Sequence, residues 1–137
     1  MKINKFIQEN LKVTYPAEEY SSLVHQMATS RLPRIVCNDG FSLSIQVGYS
    51  LYSKPKKVAK RYSEVEIGFP SEPESLIAEY ADDWEVQGDD DPRLCETVYG
   101  YVPVKIVDKV LKKHGGIDMV ETMQRAEQVG LGKENYE

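Results

Sequence analysis

Phe41, Leu43, Ile45, Val47, Tyr49 and Leu51 alternate with Ser42, Ser44, Gln46, Gly48, Ser50 and Tyr52, the most regular stretch of the chain. A period of two over that length predicts a strand with one face in the core and the other small and polar, as antiparallel sheets allow. The run before it, Arg34-Ile35-Val36-Cys37, is short and apolar and meets Asn38-Asp39-Gly40, a hairpin-turn signal. Val65, Ile67 and Phe69 alternate with Glu64, Glu66 and Gly68 and predict a third strand, and the alternation from Glu96 to Val102 predicts a fourth.

Helical spacing brackets these strands. Ile3, Phe6, Ile7 and Leu11 recur at three- and four-residue intervals, and Pro16 opens a second such pattern through Tyr20, Leu23, Val24 and Met27. After Pro70, Ser71 and Glu74 form a capping-box pattern ahead of Leu76, Ile77, Tyr80, Ala81 and Trp84, which predicts a short helix. Pro103 suits a helix start, with Val104, Val107, Val110 and Leu111 as the buried stripe and Lys105, Lys109, Lys112 and Lys113 opposite. His114-Gly115-Gly116 stops that helix, and Ile117, Asp118 and Glu121 resemble a staple and capping box for a last one through Val120, Met123, Ala126 and Val129. The order ααβββαβαα predicts an α+β fold: an antiparallel or mixed sheet of about four strands, with N-terminal and C-terminal helices packed mainly on one side.

With 137 residues and no internal repeat or long linker, the chain is expected to form one soluble domain over residues 1–129, with 130–137 a frayed tail. Cys37 and Cys95 are too few for a disulfide framework and lack metal-ligand spacing, which fits a reducing cytoplasm. The N-terminus does not read as a secretory signal, and no apolar run is long enough to span a membrane. A net charge of -5 argues against a nucleic-acid coat, although a local basic patch can still meet a phosphate.

Catalytic signals are sparse. No Walker loop, GxGxxG fingerprint, HExxH or nucleophile elbow is present. Neither histidine, His25 or His114, is placed beside a nucleophile, and His114 has a structural reason to sit at a helix C-terminus. Cys37 reads as a small buried hydrophobe, and Asp82, Asp83, Glu85, Asp89, Asp90 and Asp91 as a solvated loop that misses the EF-hand spacing. The expectation is a binder rather than an enzyme, with no cofactor and no metal.

Positive charge is the remaining signal. Lys105, Lys109 and Lys112 or Lys113 fall along one side of a helix, where they can meet a diphosphate. The connection from Lys54 to Arg61 is a second basic cluster, and for each cluster the alternative reading is a solvated surface. Tyr49, Tyr52 and Tyr62 flank that connection, and Tyr99 and Tyr101 precede the lysine helix, so a nucleobase can stack on a tyrosine while lysines take its phosphate. The candidate ligand-binding set is Lys109, Lys113, Lys105, Tyr101, Tyr99, Arg34 and Tyr52.

The blocks from Leu32 to Gln46, Glu66 to Ser71, Val98 to Pro103 and Lys113 to Ile117 together resemble a family of small phage and prophage proteins. The resemblance is best matched by the Thoeris anti-defence sponges. It implies an oligomer in a host bacterial cytoplasm that sequesters a cyclic ADP-ribose isomer made by a TIR-domain enzyme, without cleaving it. Basic residues one helical turn apart would hold the diphosphate, and Lys109 and Lys113 occupy such positions, although lysine lacks the bidentate grip of arginine. The expected partners are thus a small phosphate-bearing nucleotide signal and further copies of the chain, with neither membrane nor nucleic acid. Two other readings stand beside this one: an inhibitor or adaptor that docks on a host protein, its acidic loop mimicking nucleic acid, and an enzyme acting through His25, Cys37 or the aspartates.

Overall fold

Four strands, β1 (Ile35–Val36), β2 (Ser42–Gln46), β3 (Glu64–Gly68) and β4 (Val98–Pro103), form a fully antiparallel sheet in the order β1-β2-β3-β4. The computed structural model describes residues 1–12, 31–48 and 50–134; the expected second helix from Pro16 through Met27, and with it His25, lies outside them, as does Tyr49. The register follows from the alternation. Ile35 pairs with Leu43, Ile45 with Ile67, Ile67 with Tyr99 and Val65 with Val102, and all of these side chains are buried. The rows Ser44–Gly68 and Gln46–Glu66 point to the opposite face.

Among the described residues, three α-helices accompany the sheet in an α+β fold: α1 (Ile3–Asn10), α2 (Val104–Lys113) and α3 (Met119–Glu134). Ile3, Phe6 and Ile7 of α1 and Val107, Val110 and Leu111 of α2 are buried in the same core as the inward strand residues. Lys2 offers α1 no side-chain cap, and Asp108 of α2 takes that role by accepting the Ile3 N–H at 2.8 Å. Asn4 then exchanges two hydrogen bonds with the backbone of Tyr62, at 2.7 and 3.0 Å, which ties α1 to the approach to β3. Helix α3 continues to Glu134, past the expected start of the tail at residue 130. None of the helices among the described residues is long and apolar enough to cross a membrane.

Two expected elements are replaced. The strand from Phe41 to Tyr52 ends at Gln46, because Ser53 folds back and its hydroxyl accepts the Gly48 N–H at 3.1 Å; pairing resumes only at Lys54, opposite Glu64. The helix expected after Ser71 is a series of turns with a short 3₁₀ segment, Ala78–Tyr80. Ser71 does not cap it. Its N–H donates to the Ser42 carbonyl at 2.8 Å and its hydroxyl accepts the Ser42 N–H at 2.9 Å, so both groups extend the pairing of β2 instead.

Both outer strands are covered. At β1, the Val36 N–H donates to the Thr122 hydroxyl at 2.9 Å and its carbonyl accepts the Asp118 N–H at 2.8 Å, while Cys37 bridges to Ile117. At β4, Ala81 bridges to Tyr99 and the Asp82 N–H reaches the Val98 carbonyl at 2.8 Å. Thr122 is fully buried. Thr122→Val, which keeps the shape and removes the hydroxyl, is expected to lower unfolding stability by about 1–3 kcal/mol, while Thr122→Ser retains most of it. Urea denaturation of the two variants checks this.

Candidate functional site

Gln46 projects from the polar face of β2 and is nearly fully buried, so its amide must be satisfied inside the protein. Its Oε1 accepts the Leu32 N–H at 2.8 Å, and its Nε2 donates to the Leu32 carbonyl at 2.9 Å and to the Ser44 hydroxyl at 3.0 Å. The side chain thus stands in for a strand partner and fixes the segment that carries Arg31 and Arg34. Beside it opens a cleft of about 650 Å³, lined by the end of α1, residues 31–34, Ser44 and Gln46 of β2, and Met123, Arg125, Ala126 and Val129 of α3. That volume suits a small-molecule ligand.

Arg34 is held in place by neutral oxygens. Its Nε donates to the Ser42 hydroxyl at 3.0 Å, and one terminal nitrogen donates to the Ser42 carbonyl at 3.2 Å and the Phe69 carbonyl at 2.7 Å. None of these partners carries a negative charge. Burial lowers the pKa of Arg34 from its ordinary value, and the positive charge of Arg125 lowers it further, so two guanidinium groups share this region. Arg125 is half exposed and donates from Nε to Glu121 at 2.8 Å, one helical turn away. Arg31 is exposed and has no ion-pair partner among the described residues. Glu9, the acidic residue of the lining, reaches Lys5 at 4.0 Å. The cleft therefore joins oriented positive charge to an apolar wall of Leu32, Met123, Ala126 and Val129, a combination suited to an anionic ligand with an apolar part.

A second polar cluster lies at the C-terminus of α2. His114 lies within hydrogen-bond distance of two carboxylates, Nδ1 2.6 Å from Asp39 and Nε2 2.7 Å from Glu74, with its ring stacked on Phe41 at a centroid distance of 3.9 Å. Glu74 is buried and also receives Lys113 at 2.9 Å and the Leu76 N–H at 3.0 Å. Burial pushes the Glu74 carboxyl up, but the Leu76 N–H, Lys113 and His114 together outweigh it and leave its pKa below the ordinary value. Asp39 is lowered as well, by the Phe41 N–H and then by His114. With both ring nitrogens taken by carboxylates, His114 has no free position with which to accept a proton from a substrate. Cys37 is buried, and its thiol is pushed up to about 11 by burial and by Asp39, which keeps it protonated and unreactive at neutral pH.

The seven candidate residues fall in separate places. Arg34 lines the cleft. Tyr52 and Tyr101 meet each other, with ring centroids 5.7 Å apart, and neither borders the cleft. Tyr99 is fully buried and its hydroxyl donates to the Leu94 carbonyl, so it is a core residue with no face open to a ligand. Lys113 is engaged by the buried Glu74, which leaves it a structural partner rather than a free phosphate ligand. Lys105 and Lys109 are exposed on α2 and do not border the cleft. The sequence shows Arg31 and Arg34 closely spaced, but nothing local in it links either to Arg125, which arrives from α3.

The acid limb of stability should reflect the α2 cluster. Because Asp39 and Glu74 have lowered pKa values in the folded state, their contribution is present above the unfolded carboxylate range, about pH 4, and is lost as pH falls through the folded values. Glu74→Gln is expected to be less stable than the wild type at pH 7, by about 1–3 kcal/mol, yet to lose less on going from pH 7 to pH 3. Urea midpoints at several pH values measure both effects. Comparison of the chain with protein-family models, curated proteins and solved structures finds no match.

Proposed function

We propose that this protein binds a small phosphate-bearing ligand in the arginine-lined cleft and holds it without cleaving it. The observation that carries the reading is Arg34, oriented by neutral oxygens, without a carboxylate partner among the described residues, and close enough to Arg125 to feel its charge. A phosphate entering there would relieve the mutual repulsion of two guanidinium groups and gain charge-assisted hydrogen bonds. The occupied nitrogens of His114 and the protonated Cys37 support retention rather than turnover.

The finer reading draws on the resemblance in sequence: a phage anti-defence protein that sequesters a cyclic ADP-ribose-type or other cyclic nucleotide signal, working as a homo-oligomer in the host cytoplasm. In this form of the proposal the diphosphate grip passes from Lys109 and Lys113 to the arginines: Arg34 offers its one unengaged terminal nitrogen and Arg125 the two terminal nitrogens not used for Glu121. A second reading, docking on a host protein, draws on Trp84. This residue is 95% exposed and is flanked by Asp82, Asp83 and Glu85, an anchor side chain of the type that concentrates interface energy, set among acids that suit a basic partner.

Incubation with cyclic ADP-ribose isomers and cyclic dinucleotides, followed by removal of free ligand and heating, is expected to release an intact compound. Altered product would point to an enzyme, and capture of a host protein abolished by Trp84→Ala, with no retained nucleotide, to the docking reading. By calorimetry, Arg34→Ala and Arg125→Ala should each weaken binding roughly tenfold to a hundredfold, and added salt should weaken it further. Lys105→Ala with Lys109→Ala, both exposed on α2, should leave it little changed. Unaltered affinity in both arginine variants would remove the cleft as the site.

A further inference from the structure

Between the pairs Val65–Val102 and Ile67–Tyr99, β3 contributes Glu66 alone while β4 contributes Gly100 and Tyr101. This is a β-bulge, a device that turns a side chain out of the regular ladder. Tyr101 sits in it at φ +54°, a left-handed conformation that glycine or asparagine adopts easily and a bulky aromatic residue rarely does. Its N–H leaves the strand ladder and donates to the Tyr52 carbonyl at 2.9 Å. Gly100 permits the approach: a Cβ there would lie 3.2 Å from the Cβ of Tyr52. Glu66 secures the other side by accepting the Tyr52 N–H at 3.2 Å.

The strained backbone does not serve to bury the ring. Tyr101 is 36% exposed and Tyr52 45% exposed, with the two rings tilted at 44° to one another. Two ammonium groups lie over the Tyr101 ring, Lys54 at 5.6 Å and Lys56 at 5.4 Å from its centroid. Lys56 is held by the Leu51 carbonyl at 2.8 Å and Lys54 by Glu64 at 3.6 Å, and the same loop exposes Lys57, Lys60 and Arg61. In a chain of net charge -5, this is a concentrated positive surface built against two accessible rings.

We infer that Tyr52, Tyr101, Lys54 and Lys56 form a binding site, distinct from the arginine cleft, for a nucleobase carrying a phosphate. The rings give a π-surface on which a planar heterocycle stacks, and the lysines, anchored beside that surface, meet the attached phosphate. A simple phosphate would make no use of the rings, and an uncharged aromatic ligand would make no use of the lysines. A free nucleotide and a single-stranded oligonucleotide share this chemistry. None of the four residues borders the cleft, so the inference stands or falls independently of the function proposed there.

The test titrates AMP, a short oligodeoxyadenylate, adenosine and inorganic pyrophosphate into the full chain, following the tyrosine ring resonances by NMR. AMP or the oligonucleotide should shift the Tyr52 and Tyr101 signals, with adenosine and pyrophosphate binding more weakly. Affinity equal for AMP and oligonucleotide identifies the free nucleotide as ligand, and affinity rising with length identifies the single strand. Tyr101→Asn should weaken binding about tenfold while its urea midpoint is unchanged or higher, because asparagine tolerates the left-handed backbone. Lys54→Ala with Lys56→Ala should weaken binding similarly and flatten its salt dependence, while Arg34→Ala leaves the tyrosine shifts intact. The inference is overturned if the tyrosine and lysine variants bind both nucleotide probes like the wild type, if no probe moves these rings, or if Arg34→Ala abolishes the shifts.

Discussion

A buried carboxylate must be matched where it sits, and Glu74 imposes that condition on three segments of the chain at once. It lies in the loop after β3, it draws Lys113 and His114 from the end of α2, and His114 extends the chain of charge to Asp39 in the turn between β1 and β2. The end of α2 is shaped to receive that turn. Gly115 and Gly116 both take φ +87°, Gly116 N–H closes back on the Leu111 carbonyl at 2.8 Å, and Asn38 Nδ2 donates to the Gly115 carbonyl at 2.7 Å. The turn places β1, and the chain leading into β1 carries Arg31 and Arg34. Glu74 thus supports the turn that leads from β1 into β2, and Gln46 of β2 in turn holds the segment that carries Arg31 and Arg34.

Much of the architecture is legible in local pattern. Asn38-Asp39-Gly40 reverses the chain as its composition implies, the inward rows of β2 and β3 are the apolar members of each alternation, and Pro103 leads directly into α2. The failures share a cause. Ser71 and Glu74 carry the spacing of a helix cap, yet each finds a stronger partner far along the chain, Ser42 for one and Lys113 with His114 for the other. A capping box is worth about a kilocalorie, less than leaving a buried carboxylate unmatched would cost. Tyr99 and Tyr101 both precede the lysine helix in sequence, but the bulge separates them, leaving one ring in the core and turning the other outward.

Positive charge illustrates the same limit. Composition shows where lysine and arginine lie along the chain but not how each is held. Arg34 is fixed by neutral oxygens, Lys113 is matched by a buried acid, Lys54 and Lys56 rest against an aromatic ring, and Lys105 and Lys109 face outward from α2. These are four different electrostatic situations, and only those with an orienting scaffold and incomplete compensation favour a specific anion.

The covering of β1 by Thr122 and Asp118, and of β4 by Ala81 and Asp82, has a consequence for assembly. An uncovered outer strand invites another chain to continue the hydrogen-bond ladder, which is how many small sheets dimerise and how unprotected ones aggregate. Here the donors and acceptors that such a continuation would use at Val36 and Val98 are already spent within the molecule. At those positions another copy cannot continue the ladder, which favours association through side-chain surfaces, a mode set by shape and charge and adjustable one residue at a time.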